Sequence, residues 1–161
     1  MAKFTVLFSS CSLVMAVIFA YSASVQLNDP DWYFWFPLYA CACLVNLVNW
    51  RISSETLIIR KIAKVTLWFG IILFLKVVIE DFAEFWLLDV SERVVREKIG
   101  SGLVIISLIL QLEASHSKQF MARREKEYAR YVNYGMAMLV IFSIGLPFVF
   151  FLVKKGEMKF D

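Results

Sequence analysis

The stretch FTVLFSSCSLVMAVIFAYSASVQL, Phe4 to Leu27, runs for 24 residues without a charge. As a helix rising 1.5 Å per residue it covers about 36 Å, enough for a hydrocarbon core of about 30 Å. It far exceeds the roughly 7–15 apolar residues of a signal-peptide core and reads as a signal anchor. Four further apolar runs follow. Trp32 to Trp50 is uncharged between Asp31 and Arg51, with Trp32, Tyr33 and Trp35 at one end and Trp50 at the other. Aromatic rings favour both headgroup levels. Val65 to Ile79 is broken only by Lys76, so a full span begins near Lys61. Lys76 lies near the end of that run, where its ammonium can reach the interface. Ile99 to Leu112 is short and borrows about a turn from each flank, and Tyr131 to Val153 carries Gly145 and Pro147, an expected kink.

Only helices and closed barrels satisfy the backbone in lipid, and barrels show short segments of alternating polarity. The long apolar runs therefore predict an all-α polytopic membrane protein. We expect one transmembrane domain over residues 1–161, a five-helix bundle with short connectors and spans of about 4–27, 32–50, 61–79, 97–115 and 130–153. A re-entrant or interfacial fourth segment is the structural alternative.

Composition agrees. Of 161 residues, 60% are hydrophobic and 19% charged, and the mean hydropathy is +0.68. Soluble domains average about 45–50% apolar and about 25% charged. A soluble domain this small could not bury so much apolar surface. These values exclude a soluble enzyme, a disordered chain and a disulfide-stapled secreted module.

Five spans put the termini on opposite sides. The N-terminal side holds Lys3, Arg51, Arg60, Lys61, Lys64, Lys118, Arg123, Arg124, Lys126 and Arg130, ten basic residues. The other side holds Arg93, Arg96, Lys98, Lys154, Lys155 and Lys159, six. Basic loops stay cytoplasmic, so the N-terminus is expected in the cytoplasm and the C-terminus in a lumen or outside the cell. The basic excess suits an anionic leaflet rather than a nucleic acid, since no basic folded domain carries it.

Helices in lipid associate through small residues. Ser12, Ala16, Ala20 and Ser24 recur every four positions in the first span, and Gly100, Ser101, Gly102 and Ser107 supply the fourth. These are candidate packing residues. Asn46 and Asn49 can hydrogen-bond across helices, as modest stabilisers. Cys11, Cys41 and Cys43 fall inside spans in an odd number, against disulfides, and read as small buried hydrophobes.

The turn Gln26-Leu27-Asn28-Asp29-Pro30-Asp31 joins the first two spans. Mechanically, Asp29 caps the second helix, Pro30 fills its first position and Asp31 complements the dipole. Functionally, the carboxylates and Asn28 could hold a cation or a lipid headgroup. Residues 80–98 carry six acidic and three basic residues, with Phe82, Phe85 and Trp86 at helical spacing. That pattern fits an interfacial helix or a partner-binding face. Glu113 and His116 form a single Glu-x-x-His, whereas di-iron bundles use two such units and further carboxylates. His116 is the one histidine, which excludes multi-histidine hydroxylases and most zinc catalysis. No catalytic, cofactor-binding or metal residue is assigned.

Gln26-Leu27-Asn28-Asp29-Pro30-Asp31 resembles the Gln-x-Asn-Asp-Pro-Asp signature of the transmembrane protein 220 family. Arg96-Glu97 followed by Ser101-Gly102-Leu103-Val104-Ile105-Ile106 resembles that family's second signature. The resemblance spans about residues 10 to 115 and implies a small polytopic membrane protein without supplying a reaction. It draws attention to Asn28, Asp29, Asp31, Arg96 and Glu97, which fall on one side of the bilayer, so that Arg96 could pair with Asp29 or Asp31. The expected function is a non-enzymatic accessory or scaffolding subunit of a larger membrane complex, contacting membrane lipids and another membrane protein. Lipid handling at the endoplasmic reticulum or another endomembrane, in preference to the plasma membrane, is the expected setting. The alternative is a small transporter or lipid- or cation-binding protein using the Asn28–Asp31 turn.

Overall fold

The computed structural model describes residues 6–51, 57–85, 92–116 and 125–157, with side-chain detail for 6–50, 57–79, 97–114 and 130–148. Five α-helices follow one another: α1 (Val6–Gln26), α2 (Trp32–Arg51), α3 (Leu57–Phe85), α4 (Glu92–His116) and α5 (Glu125–Glu157). Among the described residues every regular element is a helix.

The helices α1 and α2 form a close hairpin, as do α3 and α4, and α5 packs against both α1 and α4. The helix α2 also touches α3 and α4. The five thus make a ring in helix order, with α2 and α4 meeting across it. Pairings between α2 and α4 keep a nearly constant offset: Asn46 meets Ser107 and Asn49 meets Gln111. Those two helices therefore run parallel, as alternate elements of an up-and-down bundle must.

Among the described residues, three helices are long and apolar enough to cross a bilayer, over Val6–Gln26, Leu57–Ile79 and Arg130–Phe148. The helix α2 is long enough at 20 residues, but Trp and Tyr at its start, Pro37 within it, and Asn46 and Asn49 near its end make it less apolar. The helix α4 opens on charged turns. The helices α3 and α5 run to 29 and 33 residues, or about 44 and 50 Å, longer than their apolar windows. Residues 80–85 continue α3 and residues 92–98 open α4, so the interfacial helix expected near 80–98 is absent as a separate element among the described residues. Charged residues end hydrophobicity without ending a helix. Residues 86–91 lie outside the described residues.

The core is built from large side chains of four helices: Phe8, Met15 and Phe19 of α1, Trp35 and Leu38 of α2, Leu108 of α4 and Met136 of α5 are fully buried. Gly70 of α3 lets Leu38 Cδ1 approach to 3.3 Å of where its Cβ would stand. Outside, Val17 and Tyr21 of α1, Val65, Trp68 and Ile79 of α3, and Met138, Ile141 and Phe148 of α5 are exposed. Large apolar side chains thus cover the outer faces as well as the core, which suits lipid as solvent, and the buried amides and hydroxyls sit within that apolar core. The three cysteines are free thiols.

Candidate functional site

The turn between α1 and α2 holds itself by backbone bonds. Asn28 N–H donates to Val25 O at 3.3 Å, Asp29 N–H to Gln26 O at 3.0 Å, Trp32 N–H to Asp29 O at 3.2 Å and Phe34 N–H to Asp31 O at 3.0 Å. The helix α2 begins at Trp32, so Asp31, and not Asp29, stands at the cap, and Pro30 precedes it. The Asp31 side chain spans one turn further and accepts a hydrogen bond from Trp35 Nε1 at 3.1 Å. Asn28 is exposed, Asp29 and Asp31 are half-buried, and Gln26 is buried.

Trp35 carries this contact inward. Its ring stacks on Tyr39, with centroids 6.5 Å apart at 28°, and Tyr39 leans on Phe19 of α1 at 6.4 Å. The spacing of four places Trp35 and Tyr39 one above the other on the inner face of α2. The hydroxyl of Tyr39 then meets α4 at Gly100. A Cβ built on Gly100 would collide with Tyr39 Oη and lie 3.1 Å from Cζ. Glycine is thus required here by close approach. One turn away, Glu97 is 4% exposed, and Ser101 Oγ donates to Glu97 O at 2.6 Å.

A chain of packed groups therefore joins the two stretches that carry the family resemblance: Asp31, Trp35, Tyr39, then Gly100 beside Glu97 and Ser101. The expected contact was an ion pair of Arg96 with Asp29 or Asp31. Arg96 lies in α4, but its side chain is outside the described residues. Of the proposed packing residues, Ser12 and Ala16 are buried whereas Ala20 and Ser24 are exposed. Steps of four residues advance 400°, so the stripe drifts about 40° per step and turns outward. Gly102 faces open space. Glu113 is partly buried near the end of α4, and the side chain of His116 lies outside the described residues.

A second constellation fills the other half of the bundle. Asn46 Nδ2 donates to the Ala42 carbonyl at 2.9 Å and to Ser107 Oγ at 3.1 Å. Gln111 Nε2 donates to Asn46 Oδ1 at 2.8 Å and to Ser12 Oγ at 2.9 Å. Asn49 Nδ2 donates to Gln111 Oε1 at 2.6 Å. The direction is dictated by one atom. The Ala42 carbonyl can only accept, so the Asn46 amide nitrogen faces it and Asn46 Oδ1 is left for Gln111 Nε2. Gln111 Oε1 is then left for Asn49 Nδ2. Asn49 Oδ1 stands at the end of the chain, buried without a hydrogen-bond partner, as does Gln26 Oε1 in the other half.

Asn46 and Asn49 were legible from the sequence as helix-bridging residues. Gln111, the hub, was not singled out. Its signal was an amide placed among apolar residues, Ile109 to Leu112. Trp35 belongs to the aromatic group at the start of the second span, and its spacing of four from Tyr39 is the sequence signal that the two share a helix face.

Chemically, both constellations couple helices. Amides, hydroxyls and one indole are spent on each other, and among the described residues no group of three or more His, Cys, Asp or Glu side chains could hold a metal. The fold and site define an integral membrane protein, a helical bundle with apolar spans outside and hydrogen-bonded amides within. A family model described as "Transmembrane family 220, helix" matches residues 18–113, more than half of the chain. The chain belongs to that family. No curated protein and no solved structure matches it.

Proposed function

We propose that the chain crosses the bilayer five times, with the N-terminus cytoplasmic and the C-terminus luminal or extracellular. In this reading it serves as a non-enzymatic accessory or scaffolding subunit of a larger membrane complex, one that handles lipid at the endoplasmic reticulum or another endomembrane. The observation that carries the reading is the Ser12–Gln111–Asn46–Ser107 network. Polar side chains at bundle depth mark substrate or proton paths when they converge on a cavity or a reacting group. Here they bond one another across α1, α2 and α4 and fix the register of the helices. Exposed apolar residues on α1, α3 and α5 leave broad faces for lipid and for a membrane partner.

Purification from native membranes in a mild detergent, followed by mass spectrometry, tests this. A stoichiometric second membrane protein is expected. Recovery of this chain alone would count against the subunit reading.

A second reading, a small transporter or lipid- or cation-binding protein, draws support from the same turn. The Asn28–Asp31 backbone is internally bonded and presents Asn28 outward, which suits a preorganised headgroup or cation contact. Loss of bound cation or lipid on substituting Asn28 and Asp29 would favour it.

A further inference from the structure

We propose that the N-terminal end of α3 holds a net-anionic phospholipid, with Lys61 and Lys64 taking its phosphate and Trp68 standing beside its acyl chains. Arg60, Lys61 and Lys64 bring three cations close to the start of α3, whose first turn has no acidic residue. Lys61 and Lys64 are exposed and Arg60 is half-buried. Among the described residues no carboxylate pairs with any of the three. Glu113, near the same end of the neighbouring α4, is half-buried and bonds none of them. Cations near the start of a helix also face the positive end of its dipole. Their charge is thus unbalanced among the described residues, and an anion from outside the chain offsets it.

The face on which they stand selects the anion. At about 100° per residue, Lys61, Lys64 and Trp68 fall within about 60° of one another, and Ile72 and Leu75 continue the same stripe. Trp68, Ile72 and Leu75 are 68%, 59% and 52% exposed, on a helix apolar enough to cross a bilayer over Leu57–Ile79. The lysines therefore stand at the mouth of a lipid-facing stripe, with Trp68 about 6 Å beyond Lys64 along the axis. Its indole N–H has no acceptor among the described residues, and indoles favour the headgroup level, where one end is apolar and the other wet. A free phosphate would use the cations and leave the stripe bare, whereas a phospholipid uses both. A zwitterionic headgroup brings its own ammonium beside three uncompensated cations. A headgroup whose only charge is the phosphodiester does not, and a charge-assisted bond from an ammonium to phosphate is among the stronger polar contacts. In the topology proposed above this end of α3 faces the cytoplasmic leaflet, where anionic lipids are concentrated.

This inference needs α3 to span the bilayer, and neither the sidedness nor the subunit reading proposed above. The test uses the purified full chain in micelles of a non-ionic detergent, offered phosphatidylglycerol or phosphatidylcholine with identical tails and read by native mass spectrometry. We expect phosphatidylglycerol to be retained over phosphatidylcholine. At about fivefold per lysine near a headgroup layer, Lys61→Gln/Lys64→Gln lowers that retention about twenty-five-fold. Lys61→Arg/Lys64→Arg holds it within about twofold. Lys154→Gln/Lys155→Gln removes the same charge from the far end of α5 and changes retention by less than about twofold, because those charges lie beyond a Debye length. Phosphatidylcholine retained as well as phosphatidylglycerol overturns the anionic assignment. A Lys61→Gln/Lys64→Gln chain that loses no more phosphatidylglycerol than Lys154→Gln/Lys155→Gln overturns the site. Displacement of the lipid by an equal concentration of inorganic phosphate overturns the phospholipid as its occupant. None of these readouts depends on a partner protein or on which side the termini face, so failure of the site and failure of the subunit reading are distinguishable.

Discussion

Replacing Gly100 with alanine probes the junction of the two family stretches with one methyl group. The added Cβ lands on Tyr39 Oη and stands 3.1 Å from Cζ. Tyr39 cannot swing aside easily, because its ring is 3% exposed and is held between Trp35 and Phe19. Overpacking of this kind costs about 1–3 kcal/mol. For a chain of this size that corresponds to a fall in Tm of about 3–10 °C. The assay is thermal unfolding in detergent with a thiol-reactive fluorophore on a Cys41→Ala/Cys43→Ala background, so that the signal reports exposure of the buried Cys11. Tyr39→Phe removes the colliding oxygen and leaves only the 3.1 Å approach of Cζ. The double variant Gly100→Ala/Tyr39→Phe should therefore regain more than half of the loss, a coupling of at least about 0.5–1.5 kcal/mol in the direction of rescue. A Gly100→Ala protein with unchanged Tm would refute the packing argument, and so would strictly additive losses in the double variant.

Three further outcomes follow from the same geometry. Asn46→Leu should destabilise more than Asn49→Leu in the same unfolding assay, because Asn46 bonds Ala42, Ser107 and Gln111 whereas Asn49 donates only to Gln111 and already carries an unpaired oxygen. At about 0.6–2 kcal/mol per interhelical bond, the gap between the two should be at least about 1 kcal/mol. Asp31→Asn keeps an oxygen for Trp35 Nε1 and should cost little, whereas Asp31→Ala should lose about 1–2 kcal/mol and alter the fluorescence of the Trp35 indole; equal effects of the two would argue against this bond. Gly102→Ala, with nothing within 4 Å of its Cβ, should leave Tm unchanged within about 0.5 kcal/mol, and a fall comparable to that of Gly100→Ala would indicate a neighbour on the outer face of α4.

How far the molecule could be read from its residues depends on what each signal measures. Hydropathy reports solvent, so the uncharged run Phe4–Leu27 and the helix α1 (Val6–Gln26) nearly coincide. It does not report the backbone. The helix α3 therefore continues through Glu80 and Asp81 to Phe85, and α4 starts at Glu92, well before the apolar run at Ile99. Charged residues are good helix formers. Similarly, four-residue spacing identified the small residues of α1 without revealing which of them face inward. Ser12 and Ala16 do, and Ala20 and Ser24 do not. The face is set by which helix lies alongside, a property of the whole bundle. Gln111 escaped notice for the same reason, since an amide in an apolar run has meaning only once Ser12, Asn46 and Asn49 surround it.

The two family stretches invite an electrostatic account, with Asp29 and Asp31 on one side of the seam and Arg96 and Glu97 on the other. The geometry gives another account of why they occur together. Asp31 accepts from Trp35, Trp35 stacks on Tyr39, and Tyr39 occupies the space that the missing side chain of Gly100 leaves open. Each link is short-range and tolerates little change in shape. Coupling between charges weakens with salt as screening grows. A stacked and close-packed path is insensitive to ionic strength. Raising salt from about 0.05 to 0.5 M should thus leave the coupling between Gly100→Ala and Tyr39→Phe intact, whereas coupling carried by the charges should shrink as the Debye length falls from about 14 to 4 Å. A rescue that disappeared at high salt would return the joining of these two stretches to their charges.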